Sequence, residues 1–297
     1  MIETAGKVEI MNQGLLGSGA RAGAAHVRRW GKWQVLALLA ASLCVGALAP
    51  AARGQCDNFN DGSDALWTHY DPLGLATFSF PNGGYEISTT PSPYPPQYGP
   101  SRAASIRQDV TYSAHFSVAV DLVALEPYPQ DEAAGVLARL SNVGAGTSDG
   151  YAFTYGTGGR DIDINRLDNE QTTLLARTQI TLDPSSLPSN EYYRMVFTGN
   201  GALLTGTVYL VDTDNEFDTS DPLASISATD GTYPSGYSGL VTFDNTDPSE
   251  GSNGTDATFD NYYAVPEPAV GTILMAAAPL SLLRRPRNRL PPGTCRG

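Results

Sequence analysis

The sequence predicts an all-β fold, an antiparallel β-sandwich or jelly roll, and three observations carry that prediction. Short segments alternate apolar and polar residues with a period of two, as in Phe116, Val118, Val120 and Leu122. Turn signals separate the segments: Pro81-Asn82-Gly83-Gly84, Gly156–Gly159, Asn200-Gly201 and Asp230-Gly231. No window carries a helical stripe, and about a dozen short strands punctuated in this way build a sandwich.

Taken in chain order, residues 1–54 come first. Arg28, Arg29 and Lys32 precede an apolar run from Val35 to Ala49, and small residues follow up to Gln55. That is the order of a secretory signal peptide, with cleavage expected between Ala51 and Gln55 and the secretion machinery as first partner. The apolar run is shorter than the ~20 residues of a spanning helix.

Residues 55–263 hold the strands. Those expected are Ala76–Phe80, Gly84–Thr89, Ser105–Val110, His115–Leu122, Ala134–Leu140, Tyr151–Tyr155, Asp161–Leu167, Thr172–Arg177, Tyr192–Gly199, Leu204–Leu210, Ala224–Ala228, Leu240–Asp244 and Ala257–Tyr263. Cys56-Asp57-Asn58-Phe59-Asn60-Asp61-Gly62 opens the body and Ala257-Thr258-Phe259-Asp260-Asn261-Tyr262 closes it. Such matching motifs suit first and last strands that pair. With the Gly239–Asp244 strand, this framing resembles the concanavalin A-like lectin/glucanase superfamily, the laminin-G-like jelly rolls. That resemblance implies the fold; a function has to come from a site.

Residues 264–297 follow. Pro266, Glu267 and Pro268 precede an apolar run from Ala269 to Leu283, then Arg284, Arg285, Arg287 and Arg289. The prolines end the last strand. The run can enter a bilayer, and the arginines hold its end on the cytoplasmic side. This order resembles the PEP-CTERM sorting signal of Gram-negative bacteria. The resemblance implies an exosortase-type membrane protease as partner and membrane contact through the C-terminal helix before processing.

Charge narrows the function. From Gln55 to Tyr263 there are 28 Asp and Glu against 7 Arg and no Lys, which leaves a net −21. Such a body repels phosphate backbones, so nucleic acid is excluded as a partner. Cys56 is the only cysteine of the body, so no disulfide forms within it.

Three groups of residues could carry chemistry. Strand alternation places Asp161, Asp163 and Asn165 on one face and Ile162 and Ile164 in the core. Laminarinase-like glycoside hydrolases on this fold carry a similar strand with Glu, Asp and Glu. Here Asp161 and Asn165 would match nucleophile and acid/base, and an Asn cannot give and recover a proton. The plainer reading is a polar face beside Arg160 and Arg166. Alternate carboxylates at Asp212, Asp214, Glu216 and Asp218 suit a hard cation such as Ca2+, although Phe217 stands where an EF-hand loop needs Gly. All 15 Tyr lie in the body. The stiff Pro91–Pro100 loop would present Tyr94 and Tyr98 to the face of a sugar.

The expectation is therefore an exported, noncatalytic protein of the cell surface or extracellular matrix, sorted by an exosortase-type system, with a polysaccharide as ligand and Tyr94, Tyr98, Asp161, Asp163 and Asn165 as contacts. The alternatives are a glycoside hydrolase using Asp161 and Asp163, and a purely structural matrix component.

Overall fold

The computed structural model describes residues 54–125, 131–188, 190–212, 221–244, 246 and 254–266. The N-terminal leader, Glu267, Pro268, Arg284 and Arg285 of the sorting signal, and Asp214, Glu216 and Asp218 of the cation stretch lie outside the described residues. Asp212 ends a strand and Pro266 is the last described residue of another. Among the described residues no helix is long and apolar enough to cross a membrane.

Two antiparallel sheets form a sandwich. The first runs β13 (Ala224–Thr229), β12 (Leu203–Asp212), β11 (Glu191–Asn200), β6 (His115–Leu125), β15 (Thr255–Pro266), β4 (Tyr85–Thr89) and β3 (Ala76–Ser79), with β1 (Gln55–Asp57) beside β15. The second runs β10 (Gln171–Gln179), β9 (Asp161–Asp168), β8 (Asp149–Gly156), β7 (Glu132–Ser141), β14 (Gly236–Asp244), β5 (Ser101–Tyr112) and β2 (Trp67–Tyr70). β1 pairs with β15, Gln55 opposite Ala264 and Asp57 opposite Tyr262. The first and last strands of the body therefore do pair, as expected.

Alternation sets what each strand buries. Phe116, Val118, Val120 and Leu122 of β6 are fully buried, as are Met195 and Phe197 of β11. They face Val136, Phe153, Ile162, Ile164 and Leu240 of the other sheet in one core. β2 carries no sequence signal of its own. It is four residues long, and its Trp67 packs edge-on against Tyr262, ring centroids 4.7 Å apart, and donates to Asp57 Oδ2 at 2.8 Å. His69 of the same strand stacks on Phe78. Residues Pro95–Tyr98 form a single helical turn, α1, where the sequence predicts an extended loop. Pro95 at the first helical position presets the backbone, and Tyr98 N donates to Tyr94 O at 3.0 Å.

Among the described residues two charged side chains are wholly inside, Glu132 and Arg139. Arg139 has no exposure and sits at a bulge in β7, where the backbone takes φ 52°. Its Nη1 donates to Tyr233 O (3.1 Å) and its Nη2 to Ala114 O and Gly201 O (2.7 Å each). The guanidinium stands over the rings of Phe116 and Tyr151. A single side chain thus ties three loops at one end of the sandwich.

The outer face of the eight-stranded sheet carries a buried carboxylate. β15 slips register against β6 between Asp260 and Tyr263, with Asn261 at φ 50°. Asp121 is claimed by Arg194 through Nε and Nη2 (2.7 Å each) and by Asn261 Nδ2 (2.9 Å). Among the described residues Asp260, opposite it, has Asn261 N, at 2.7 Å, as its hydrogen-bond donor. Burial pushes its carboxyl up to about 6, helped by the charge of Asp121 and opposed by that Asn261 N–H and by Arg194. The folded protein thus holds this proton more tightly than the unfolded chain, whose Asp titrates near ~3.9. Stability from this group is fully present below about pH 4 and is lost as pH rises through 6. Asp260→Asn keeps the acceptor for Asn261 N and removes the charge. Its melting temperature is expected to match the wild type at pH 4 and to exceed it by about 2–4 °C at pH 8, given ~1 kcal/mol after solvent screening. Paired melts across that range check this; an equal difference at both pH values would refute it.

Candidate functional site

The outer face of the seven-stranded sheet carries a cleft, and its register can be read across in rows. Tyr70 lies opposite Ala104, Ala104 opposite Val241, and Val241 opposite Gly135. The same row continues through Thr154 and Asp163 to Arg177. One row along, Ile106, Gly239, Leu137, Ala152, Asn165 and Leu174 follow in order. On the other side run Arg102, Phe243, Ala133, Gly156 and Asp161. The rows are small and apolar in their middle, and the first and third end in polar or aromatic residues, Tyr70 and Arg177, Arg102 and Asp161. The result is a cleft of about 420 Å3 with a floor of Ala104, Val241, Leu137 and Ala152.

Two glycines shape that floor. A Cβ on Gly135 would stand 2.2 Å from Phe153 O, and one on Gly239 2.4 Å from Ser105 O. Only residues without a side chain allow β7 and β14 to approach their neighbours this closely, so the cleft stays smooth where the sheet bends.

At the β9–β10 wall, Asp163 and Arg177 form a bidentate pair: Nε donates to Oδ1 at 2.6 Å and Nη2 to Oδ2. Arg177 Nε also lies 3.2 Å from Asp161 Oδ2. The guanidinium is pushed above its usual range, chiefly by its hydrogen bonds to Asp163. Asp161 is pushed up by burial and by the neighbouring Asp163, with Arg177 opposing. Its side chain is nearly buried, while that of Arg177 is 52% exposed to the cleft side. Arg102 and Tyr70 of the opposite wall donate to Glu170 of the β9–β10 turn, Arg102 Nη2 to Oε2 at 3.0 Å and Tyr70 Oη to Oε1. Burial and the Glu170 carboxylate push the Tyr70 hydroxyl up.

The structure brings together Asp161, Asp163 and Asn165 on the expected face, with Ile162 and Ile164 fully buried beneath them. Asp163 and Asn165 line the cleft directly. Tyr94 and Tyr98 are not among its lining residues. They are 55% and 46% exposed on α1, joined to the cleft wall through Arg102 Nη1, which donates to Tyr98 O at 3.2 Å and to Pro100 O at 3.1 Å. Phe243, Tyr70, Thr154, Arg177 and Glu170 line the cleft without having been singled out from the sequence. For Phe243 a signal existed: alternation in β14 buries Leu240 and Thr242, which turns Val241 and Phe243 outward. A second hollow, of about 250 Å3 beside Thr77, Ser88 and Thr255, holds no aromatic ring and no cation.

Among the described residues no group of three or more His, Cys, Asp or Glu is placed to hold a metal ion. In the laminarinase-like assignment Asp161 stands at the nucleophile position, and Arg177 Nε lies 3.2 Å from its Oδ2. Both oxygens of Asp163 are bonded to Arg177, and Asn165 occupies the acid/base position.

No family model matches the sequence, and no curated protein matches it. Among solved structures the chain is similar to the carbohydrate-binding module CBM66 from Bacillus subtilis, at 16% identity over 67% of this chain and 95% of that one, with a TM-score of 0.45. It is similar to basic winged bean lectin with Tn-antigen, at 11% identity over 72% and 98%, TM-score 0.48. It is also similar to the exoplasmic/lumenal domain of VIP36 in its Ca2+/Man3GlcNAc-bound form, at 11% over 71% and 87%, TM-score 0.48. The likeness is one of fold, a two-sheet antiparallel sandwich; what the cleft does follows from its own residues.

Proposed function

We propose that this protein binds a neutral carbohydrate, without catalysis, in the cleft of its seven-stranded sheet. The observation that carries this reading is the pairing of an apolar floor and two aromatic rings, Phe243 and Tyr70, with the polar groups of Asp163, Asn165 and Arg177 along one wall. A sugar ring needs both. Its C–H face packs on apolar surface and its hydroxyls need oriented donors and acceptors, which is the make-up of a small-molecule site. Fixed bidentate pairs suit adjacent hydroxyls because the pair offers donor and acceptor together without reorganising. Neutrality follows from charge: the two guanidiniums of the cleft each face a carboxylate, and the surrounding body is strongly acidic, so a polyanion is repelled.

Around this site the reading places an exported surface or matrix protein. The leader before Gln55 delivers it, and Pro266-Glu267-Pro268 with Arg284 and Arg285 is its sorting signal for an exosortase-type protease. Ca2+ would be held, if anywhere, along Asp212, Asp214, Glu216 and Asp218. The test is thermal melting of the purified protein with and without Ca2+ against neutral and acidic polysaccharides. A ligand of the native state raises the melting point by mass action. A shift with a neutral glycan is the expected result; a shift with acidic glycans only, or with none, contradicts the reading. Turnover of a β-glucan that Asp163→Asn abolishes would favour a hydrolase instead.

A further inference from the structure

The turn between β9 and β10 is a two-residue hairpin loop in which Asn169 (φ 51°) and Glu170 (φ 66°) are both left-handed. Such a type I′ turn strongly prefers Gly at its second position, so a Glu there is held by something other than the turn. Its carboxylate takes three donors from three other elements: Tyr70 Oη of β2, Arg102 Nη2 of β5 and Gly146 N of the β7–β8 loop, the last two at 3.0 and 2.9 Å. The turn is anchored further by Glu170 N donating to Ser148 O at 2.8 Å. β9 and β2 are five strands apart in the sheet, about 24 Å of floor at ~4.8 Å per step. A hydrogen bond from Tyr70 to the turn after β9 therefore spans the cleft.

Resting on the carbohydrate reading of this cleft, we propose that Glu170 is a clasp that sets which glycans enter: chain ends and short oligosaccharides, and not the interior of a long chain. While Glu170 holds Tyr70 and Arg102, a glycan can pass beneath it only end first. A strand with no end nearby cannot be laid in from above. Burying a non-glycine residue in a left-handed turn costs backbone energy, and the three-donor carboxylate offsets it.

The test uses the full chain and linear neutral glucans, mannans and xylans, each as the long polymer and as a partially hydrolysed ladder. Wild-type binding per mass of glycan is expected to rise as chains are shortened, in step with the number of ends. Glu170→Gly gives the turn its preferred Asn-Gly sequence, so this variant keeps its fold while losing the clasp, which circular dichroism checks. It is expected to bind polymer and ladder equally per mass and to associate with the polymer about tenfold faster. Glu170→Gln has a single acceptor oxygen, so it can keep Tyr70 or Gly146 but not both, and it loses the ion pair with Arg102; it should fall between the two. Wild-type binding that ignores chain length would overturn the clasp and leave the glycan reading standing. Failure of both proteins to bind any of these glycans would overturn both.

Discussion

Replacing Arg139 by Met should destabilise the protein by about 3–5 kcal/mol and lower its melting temperature by roughly 6–20 °C. The methionine fills the same space between Phe116 and Tyr151 but donates nothing. Ala114 O keeps a second donor, Gly201 N at 3.0 Å, whereas Tyr233 O and Gly201 O lose their bonds from the guanidinium. An acceptor stripped of its partner in the interior costs about 1–3 kcal/mol, and the cation–π contacts with two rings are lost as well. The partners are backbone carbonyls, so no second substitution can remove them in compensation. Arg139→Lys keeps a charge but cannot reach three loops at once, and should fall between wild type and Met. Urea melts of the three proteins decide it; a loss below about 1 kcal/mol for Met would mean the loops are held by other contacts.

Gly135→Ala should cost about 2–3 kcal/mol although it adds a single methyl group. The new carbon would meet Phe153 O at 2.2 Å and Thr154 Cα at 2.8 Å, both backbone atoms of β8, so the strands themselves must part. Because Gly135 lies in the row between Val241 and Thr154, the same shift lifts the floor of the cleft, and glycan affinity should fall with stability. Most surface substitutions change stability by less than about 0.5 kcal/mol. A Gly135→Ala protein as stable as wild type would show that the floor tolerates a side chain.

The sandwich was legible because alternation is local. In β6 and β9 the residues that face the other sheet can be named from alternation, and the outward face of Asp161, Asp163 and Asn165 follows from two buried isoleucines; that Asp121, Asp161 and Asp163 are buried as well does not. The cleft was legible in part for the same reason. What stayed hidden depends on distant partners. Arg139 reads as an outward strand residue until the bulge turns it into the core. Glu170 reads as a turn residue, since Tyr70 lies 100 positions away in sequence. β2 is too short to show a period, and Trp67 belongs to the core only because Tyr262 returns beside it. Tyr94 and Tyr98 were drawn out by their Pro-rich setting, which fixed exposure correctly and said nothing about distance from the floor.

The most direct measurement is calorimetric titration of the wild type and of Phe243→Ala and Asn165→Ala with the neutral glycan that gives the largest melting shift. Phe243 and Asn165 sit on opposite sides of the cleft floor, one aromatic and one polar, and neither lies in the core between the sheets. Each variant is expected to keep its wild-type melting point within a few degrees and to lose at least about tenfold in affinity, or ~1.4 kcal/mol. Tyr94→Ala should bind more nearly as the wild type does. Unchanged affinity in both cleft variants, with loss in Tyr94→Ala or Tyr98→Ala instead, would place the ligand on α1 and contradict the cleft as the binding site.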